Sequence, residues 1–351
     1  MLMQTNAMLR TRPRTMALWL FIVAAMIVAM VMVGGITRLT ESGLSITQWK
    51  PISGTLPPLT DAAWQAEFDG YKKIPEYREV NAGMTLAGFK AIFFWEYVHR
   101  LLGRLIGLAF ALPLIWFAIR RQIPRGYGWR LSALLALGGL QGAIGWWMVA
   151  SGLSVRTDVS HIRLAVHLST ALILLGGIVW TALDLRAAHN MAGNLAIARP
   201  SRLVPIAAIA LVLLGVQIIF GAFTAGLDAG YAFASWPLMG DAWFPAGAPM
   251  VSPAWRNAVD NPIVVQFIHR WFAFPAAAGL GLLAWQAIRQ GAARAGYAIV
   301  GLVTLQILLG IATLMSGVAI EIAVAHQVNA ALTLIAAIVA AHYLGRHRTI
   351  G

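Results

Sequence analysis

The sequence predicts an all-α polytopic membrane protein, with eight transmembrane helices arranged as two pseudo-twofold-related four-helix bundles. Three observations predict it. Apolar residues make up 59% of the 351 positions and charged residues only 11%, where soluble domains carry roughly 25% charged. Eight stretches are long and apolar enough to cross a hydrocarbon core, which takes about 20 residues of helix. Motifs in the first four stretches return in the same order in the last four, the mark of an internal duplication.

The first span, Met16–Ile36, follows a basic tail and mimics a signal peptide. Its run exceeds a typical signal core and has a counterpart later in the chain, so it reads as a retained helix. The outer segment from Arg38 to Lys90 is long and mixed in charge, and Asp61–Phe68 suits a short amphipathic helix on the membrane face or over a site. The next spans are Ala91–Ile119, Leu131–Ala150 and Ile162–Leu183. The second half repeats the plan with Leu203–Thr224, a second outer segment Gly226–Asn261, then Ile263–Ile288, Ala295–Met315 and Ile322–Leu344. Two halves follow, 1–190 and 191–351.

Charge sets the orientation. One side holds Arg10, Arg12, Arg14, Arg120, Arg121, Arg125, Arg130, Arg186, Arg199, Arg202, Arg289, Arg294, Arg346 and Arg348 against a single acid, Asp184. The other side carries nine cations and eleven acids. The positive-inside rule places both termini in the cytoplasm, and makes the +13 net charge a topology signal that implies no nucleic-acid partner. Cysteine is absent, so neither a disulfide nor a thiolate metal site can form.

The duplication shows which residues occupy equivalent places. Thr37, Gly43 and Trp49 match Thr224, Gly230 and Trp236 at one constant offset. Gln141, Gly145, Ser151 and Gly152 return as Gln306, Gly310, Ser316 and Gly317. With four spans per unit, both units enter the bilayer from the same side, as parallel repeats about an axis along the membrane normal. The glycines inside the third and seventh spans read first as packing positions, with room for a flat ligand as the alternative.

Four of the eight histidines, His99, His167, His269 and His326, lie inside spans, on the second and fourth helix of each half. Any one alone reads best as a hydrogen-bonded structural histidine. Four at matched positions, in the outer part of their spans, read instead as two imidazole pairs, each able to grip a heme iron inside a bundle. Zinc is a poorer fit, because it asks for a third or fourth protein ligand. Arg100, Arg104 and Arg270 are costly at this depth unless they find an anion, and heme propionates supply one; the alternatives are snorkelling or a loop acid. Glu96 stands one turn before His99, whereas Gln266 stands before His269. An acid in only one site implies a division of labour, with chemistry in the first half, Glu96 as its proton-handling or charge-stabilising group, and an electron-relaying heme in the second. An apolar pocket is the expected surrounding of Glu96, with a structural role paired with Arg100 or Arg104 as the alternative.

The run Gly34-Gly-Ile-Thr-Arg-Leu-Thr-Glu-Ser-Gly-Leu-Ser45, the following Trp49-Lys-Pro-Ile-Ser-Gly-Thr-Leu-Pro-Pro58, Glu96-x-x-His99-Arg100, Ala225-Gly-Leu-Asp-Ala-Gly230 and Trp236-Pro-Leu-Met239 resemble the heme A synthase family, in its cysteine-free proteobacterial and mitochondrial class. The resemblance runs from the first helix to the eighth. It implies an oxidoreductase that oxidises a ring methyl of heme O to the formyl of heme A through a hydroxymethyl intermediate, for cytochrome oxidase biogenesis, with water as the oxygen source. It further implies a bacterial inner-membrane location and delivery of heme O by the heme O synthase, a protoheme farnesyltransferase. His99 and His167, with Arg100 and Arg104, would bind the substrate heme and its iron. His269 and His326, with Arg270, would bind a heme b cofactor, and Glu96 would be the catalytic acid position. Oxidase assembly factors and a second copy of the chain are further candidate partners, besides the lipid bilayer. A diheme b-type membrane cytochrome that passes electrons to a partner uses the same histidines but leaves the Glu96/Gln266 difference idle. A transporter also has parallel repeats, and would use the histidines as proton carriers.

Overall fold

The computed structural model describes residues 11–190 and 201–347. Eight helices among them are long and apolar enough to cross a membrane. They are α1 (Pro13–Leu39), α2 (Leu86–Ile119), α3 (Tyr127–Val149), α4 (His161–Asn190), α5 (Pro205–Gly226), α6 (Pro262–Arg289), α7 (Ala293–Met315) and α8 (Ile320–His347). All eight expected spans are present, and most helices outrun their apolar cores. A hydropathy boundary marks where lipid contact ends, whereas the helix continues to a polar cap: the Thr85 hydroxyl accepts from Gly88 N on α2, and Asn261 Oδ1 accepts from Ile263 N and Val264 N on α6. Arg10, Arg199 and Arg348 of the charge bias lie outside the described residues, and the expected junction of the halves abuts 191–200, which also lie outside them.

Within the first four helices α1 packs on α2 and α4, and α3 on α4; in the last four α5 packs on α6 and α8, and α7 on α6 and α8. The two sets meet through α1, α4, α5 and α8: α4 lies against α5, α1 against α8, and α4 against α8. Exchange of the halves maps these contacts onto one another, the pattern expected of a pseudo-twofold pair. The backbone repeats as well. Both α1 and α5 end on a residue with φ near −100°, Thr40 and Leu227, followed by an acid in the left-handed region, Glu41 and Asp228, each at φ 50°.

The expected amphipathic helix forms over Asp61–Tyr71, with the Thr60 hydroxyl accepting from Ala63 N at its start. Its apolar side, Phe68 and Tyr71, packs on Phe89 of α2, with Phe68 and Phe89 stacked at a centroid distance of 5.0 Å, while Trp64 meets Phe93 edge-on at 5.0 Å. The outer segment is therefore a folded cap on the first half.

Polar ties join the halves on both sides. On the outer side Arg38 Nη2 donates to both oxygens of Asp228 at 2.9 Å and to the Ala225 carbonyl at 3.1 Å. At the opposite ends of the helices the buried Asp184 accepts from Arg130 Nη1 at 2.7 Å and Ser201 N at 3.1 Å, and pairs with His342 Nε2 at 2.8 Å. This is the one acid that the charge count left on that side; it has a defined task there, joining α3, α4 and α8. Removing the acceptor from a buried ionic cluster strands its partners. Asp184→Ala should lower stability by about 3 kcal/mol, read as a lowered thermal midpoint in detergent; an unchanged midpoint would show that the cluster holds nothing together.

Candidate functional site

One cavity of about 1010 Å³ runs through the membrane interior of both halves, and all four intramembrane histidines line it. Each ring lies against a glycine of the preceding helix. A methyl placed on Gly145 would lie 2.9 Å from Cε1 of His167; one on Gly221 or Gly310 would lie 3.0 Å from Cε1 of His269 or His326. Gly34 stands in the same relation to His99, whose Nε2 is its nearest neighbour at 3.5 Å. The glycines read as packing positions thus have a narrower purpose: they clear the space that an imidazole fills between two helices.

One turn before three of these glycines stands a glutamine. Gln141 Nε2 lies 3.1 Å from His167 Nδ1 and donates to the His167 carbonyl at 2.9 Å. Gln217 does the same for His269 at 3.1 and 3.0 Å, and Gln306 Nε2 lies 3.3 Å from His326 Nδ1. The Gln217/Gly221 pair escaped the sequence reading, although its Gln-x-x-x-Gly spacing matches Gln141/Gly145 and Gln306/Gly310. Such partners orient an imidazole; Gln306 Nε2 is equally near His326 Nε2, at 3.3 Å.

The expectation of an apolar pocket around Glu96 is not met. Glu96 is buried, but its Oε2 accepts from the Ser45 hydroxyl at 2.6 Å and Ile46 N at 2.7 Å, and its Oε1 from Arg100 Nη2 at 2.6 Å and Nε at 3.0 Å. Gln266 meets the opposite polarity, donating to the carbonyls of Ala229 at 2.8 Å and Phe233 at 3.2 Å. The first outer segment therefore presents donors to the acid and the second presents acceptors to the amide nitrogen, while Gln266 Oε1 accepts from Arg270 Nη2 at 3.3 Å.

The arginines find neither a loop acid nor open water. Arg100 donates to the carbonyls of Ile46 and Gln48 besides Glu96, Arg104 to those of Lys50 and Pro51, and Arg270 to those of Ser235, Pro237 and Leu238. Backbone carbonyls carry no sequence signature, which is why these partners were not foreseen. All three arginines still border the cavity. Arg104 Nη1 and Arg270 Nε are buried with no partner in the fold.

The His269 and His326 rings face one another at a centroid distance of 6.5 Å, perpendicular to each other. Two metal–imidazole bonds of about 2.0–2.1 Å each, with roughly 1 Å from nitrogen to ring centre on both sides, span about 6 Å. The pair is therefore spaced to share one metal. Among the described residues no three His, Asp or Glu gather as a closed cage for a bare ion, and the buried Oε1 atoms of Gln141 and Gln217 have no donor, leaving an acceptor for an Nδ1 proton once Nε2 turns to a metal. Paired imidazoles, glycine clearances and an elongated apolar cavity fit an iron porphyrin.

These features define the chain as a polytopic membrane protein whose interior gathers paired histidines around one cavity. It belongs to the COX15-CtaA family, described as cytochrome oxidase assembly protein, which residues 17–338 match. It is 55% identical to a heme A synthase of Sphingopyxis alaskensis over 97% of this chain and 94% of that one. It is 56% identical to one from Rhizorhabdus wittichii over 95% of each, and 52% identical to one from Novosphingobium aromaticivorans over 96% and 98%. The diheme cytochrome and transporter readings are not favoured by this likeness.

Beyond the cavity, the cap contains a second buried acid, Glu76, whose Oε2 lacks a donor. Burial pushes its carboxyl from the ordinary 4.5 up to about 8, helped by the negative charges of Asp158, Glu96 and Glu41 and opposed by Arg38. The folded carboxyl keeps its proton to higher pH than the unfolded one, so folding takes up a proton in this window. Stability should be greatest on the acid side and fall as pH rises from about 4.5 to about 8. Thermal midpoints across that range should show this decline in the wild type and a flatter profile in Glu76→Gln; parallel profiles would remove Glu76 as the cause.

Proposed function

We propose that the chain is a heme A synthase of a bacterial inner membrane, with both termini cytoplasmic, oxidising the ring methyl of heme O to a formyl group through the hydroxymethyl stage. In this reading residues 1–190 take the substrate and 191–351 hold a resident heme b. His99 and His167 bind the iron of heme O; His269 and His326 bind that of heme b. The observation that supports it is the 6.5 Å separation of the His269 and His326 rings, which suits a shared metal, with a tight glycine clearance also at His167 and a looser glycine contact at His99. Heme O synthase is the expected donor of substrate, and the cytoplasmic excess of arginine supports the orientation.

Heme b, when bound, supplies one-electron redox chemistry. The chain's own residues orient and support. Oxidising a methyl group removes electrons and protons, so positive charge develops beside the ring and needs a fixed counter-charge. Glu96 supplies one: its four donors hold the carboxylate in place at the edge of the cavity, the preorganised electrostatics that most lowers a barrier. Proton acceptance by Glu96 displaces one of those donors, with Ser45 the softest because a hydroxyl can rotate to accept. Arg104 Nη1 and Arg270 Nε are the arginine atoms free to meet propionates. The Arg100 bonds to Ile46, Gln48 and Glu96 make it chiefly a support for Glu96.

Two experiments test this reading. With a heme O source in the same cells, extraction and chromatography should recover hydroxymethyl and formyl hemes from the wild type. Glu96→Gln should keep its hemes and lose roughly 100-fold of the conversion, while His326→Ala should lose the firmly held heme; undiminished product from Glu96→Gln would defeat the catalytic role. Separately, Gly221→Ala should push His269 from its seat and reduce the heme retained on purification, whereas Gly215→Ala on the same helix, where an added methyl meets nothing within 4 Å, should retain it. Equal retention in the two would show that the clearance is not what positions the ring.

A further inference from the structure

The chain consists of four helix pairs, α1/α2, α3/α4, α5/α6 and α7/α8, each placing a histidine of its second helix against a glycine of its first. Four residues before the glycine stands Gln141, Gln217 or Gln306 in three of the pairs, close to the ring of its histidine. In the first pair that place belongs to Met30, which has no donor and only a weak thioether acceptor to offer an imidazole nitrogen. Its methyl points instead toward α2, where a side chain on Gly103 would meet it at 3.3 Å. The consequence shows in the ring it fails to hold. His99 turns Nε2 toward its glycine at 3.5 Å, whereas the other three present Cε1 at 2.9 to 3.0 Å. Among the described residues no side chain or carbonyl bonds to the His99 ring, while each of the other three has its glutamine. The Gln306 amide is further fixed by Asn329, whose Nδ2 donates to its Oε1 at 2.7 Å.

We propose that His99 is the yielding ligand of the substrate site, and that Met30 makes it so by standing where a glutamine would anchor it. The inference rests on the reading of His99 and His167 as the heme O site. A second-sphere partner fixes ring orientation, and its loss commonly lowers metal affinity by about 10- to 100-fold. The resident site has both of its ligands anchored, by Gln217 and Gln306. The site that must take in a substrate and give up a product each turnover has one, His167 through Gln141. Substrate can thus be held by His167 while His99 swings on and off, so that exchange requires one weak bond to break. Met30 is a positioning residue in this scheme: it acts through His99 and leaves the cavity wall apolar.

Carbon monoxide is a suitable probe, because it takes an iron position only when a protein ligand leaves. The full-length protein is loaded with heme b and heme O in detergent, reduced, and titrated. In the wild type the heme O site should bind carbon monoxide and the heme b site should not. Met30→Gln should weaken carbon monoxide binding at the first site by about 10-fold or more and slow the loss of heme O to an external acceptor. The reciprocal Gln217→Met should make the heme b site accept carbon monoxide, and it decides the matter should Met30→Gln fail to fold. Equal carbon monoxide affinities in wild type, Met30→Gln and Gln217→Met, with both hemes retained, would overturn the inference and leave the site reading standing. If His99→Ala and His167→Ala bind heme O as the wild type does, the site reading itself fails and the inference with it.

Discussion

The cavity depends on four helix crossings in which a side chain is missing. In lipid there is no hydrophobic force between helices, so their approach is set by van der Waals fit and by small residues at the contact. At Gly34, Gly145, Gly221 and Gly310 the fit is made to an imidazole ring. At the last three a larger residue would move the ring or part the helices, whereas at Gly34 an added methyl would meet His99 in ordinary contact at 3.5 Å. The spacing of His269 and His326 at 6.5 Å follows from this, because each ring is located by the backbone it rests on. The glutamines, one turn earlier on the same helix face, then settle the rotation that a smooth glycine surface leaves free.

Against this shared frame, the halves diverge in their outer segments. The backbone still repeats at Glu41 and Asp228, while the groups turned toward the membrane differ. Ser45 and Ile46 present an O–H and an N–H to Glu96, and Ala229 and Phe233 present carbonyls to Gln266. A buried carboxylate needs donors and a buried amide nitrogen needs acceptors, so an exchange at either position also requires its outer segment to change. The difference between the halves therefore lies in loop and helix together, and a Glu96→Gln change alone leaves an amide facing a site shaped for an anion.

Much of this was legible in the residues, and the illegible part has a common cause. Eight apolar runs, the repeat and the four histidines are patterns of side-chain type, and all reappear as expected. The partners of Arg100, Arg104 and Arg270 were not legible, because they are main-chain carbonyls that any sequence would supply. Asp184 was visible as an isolated acid, but its joining of Arg130, Ser201 and His342 depends on helices far apart in the chain. Gln217 and the true purpose of the glycines were within reach: the Gln-x-x-x-Gly spacing occurs three times, each on the helix before a histidine helix. Packing is the glycines' role, and what they pack against is an imidazole ring.

The arginines explain why the outer segments are long. A guanidinium at this depth has lost its water and needs acceptors. A short turn could offer one or two carbonyls, whereas Arg270 alone engages three, from Ser235, Pro237 and Leu238. The segments that fold back to supply them also line the cavity, through Trp49, Lys50 and Pro51 in one half and Tyr231 and Trp236 in the other. Satisfying the cations and covering the site are thus one requirement met by one stretch of chain. Arg38 extends the same arrangement across the seam, since its bonds to Asp228 and Ala225 tie the end of the first helix to the second outer segment. With all four histidines on one cavity beneath that tie, the two caps cover a single shared interior.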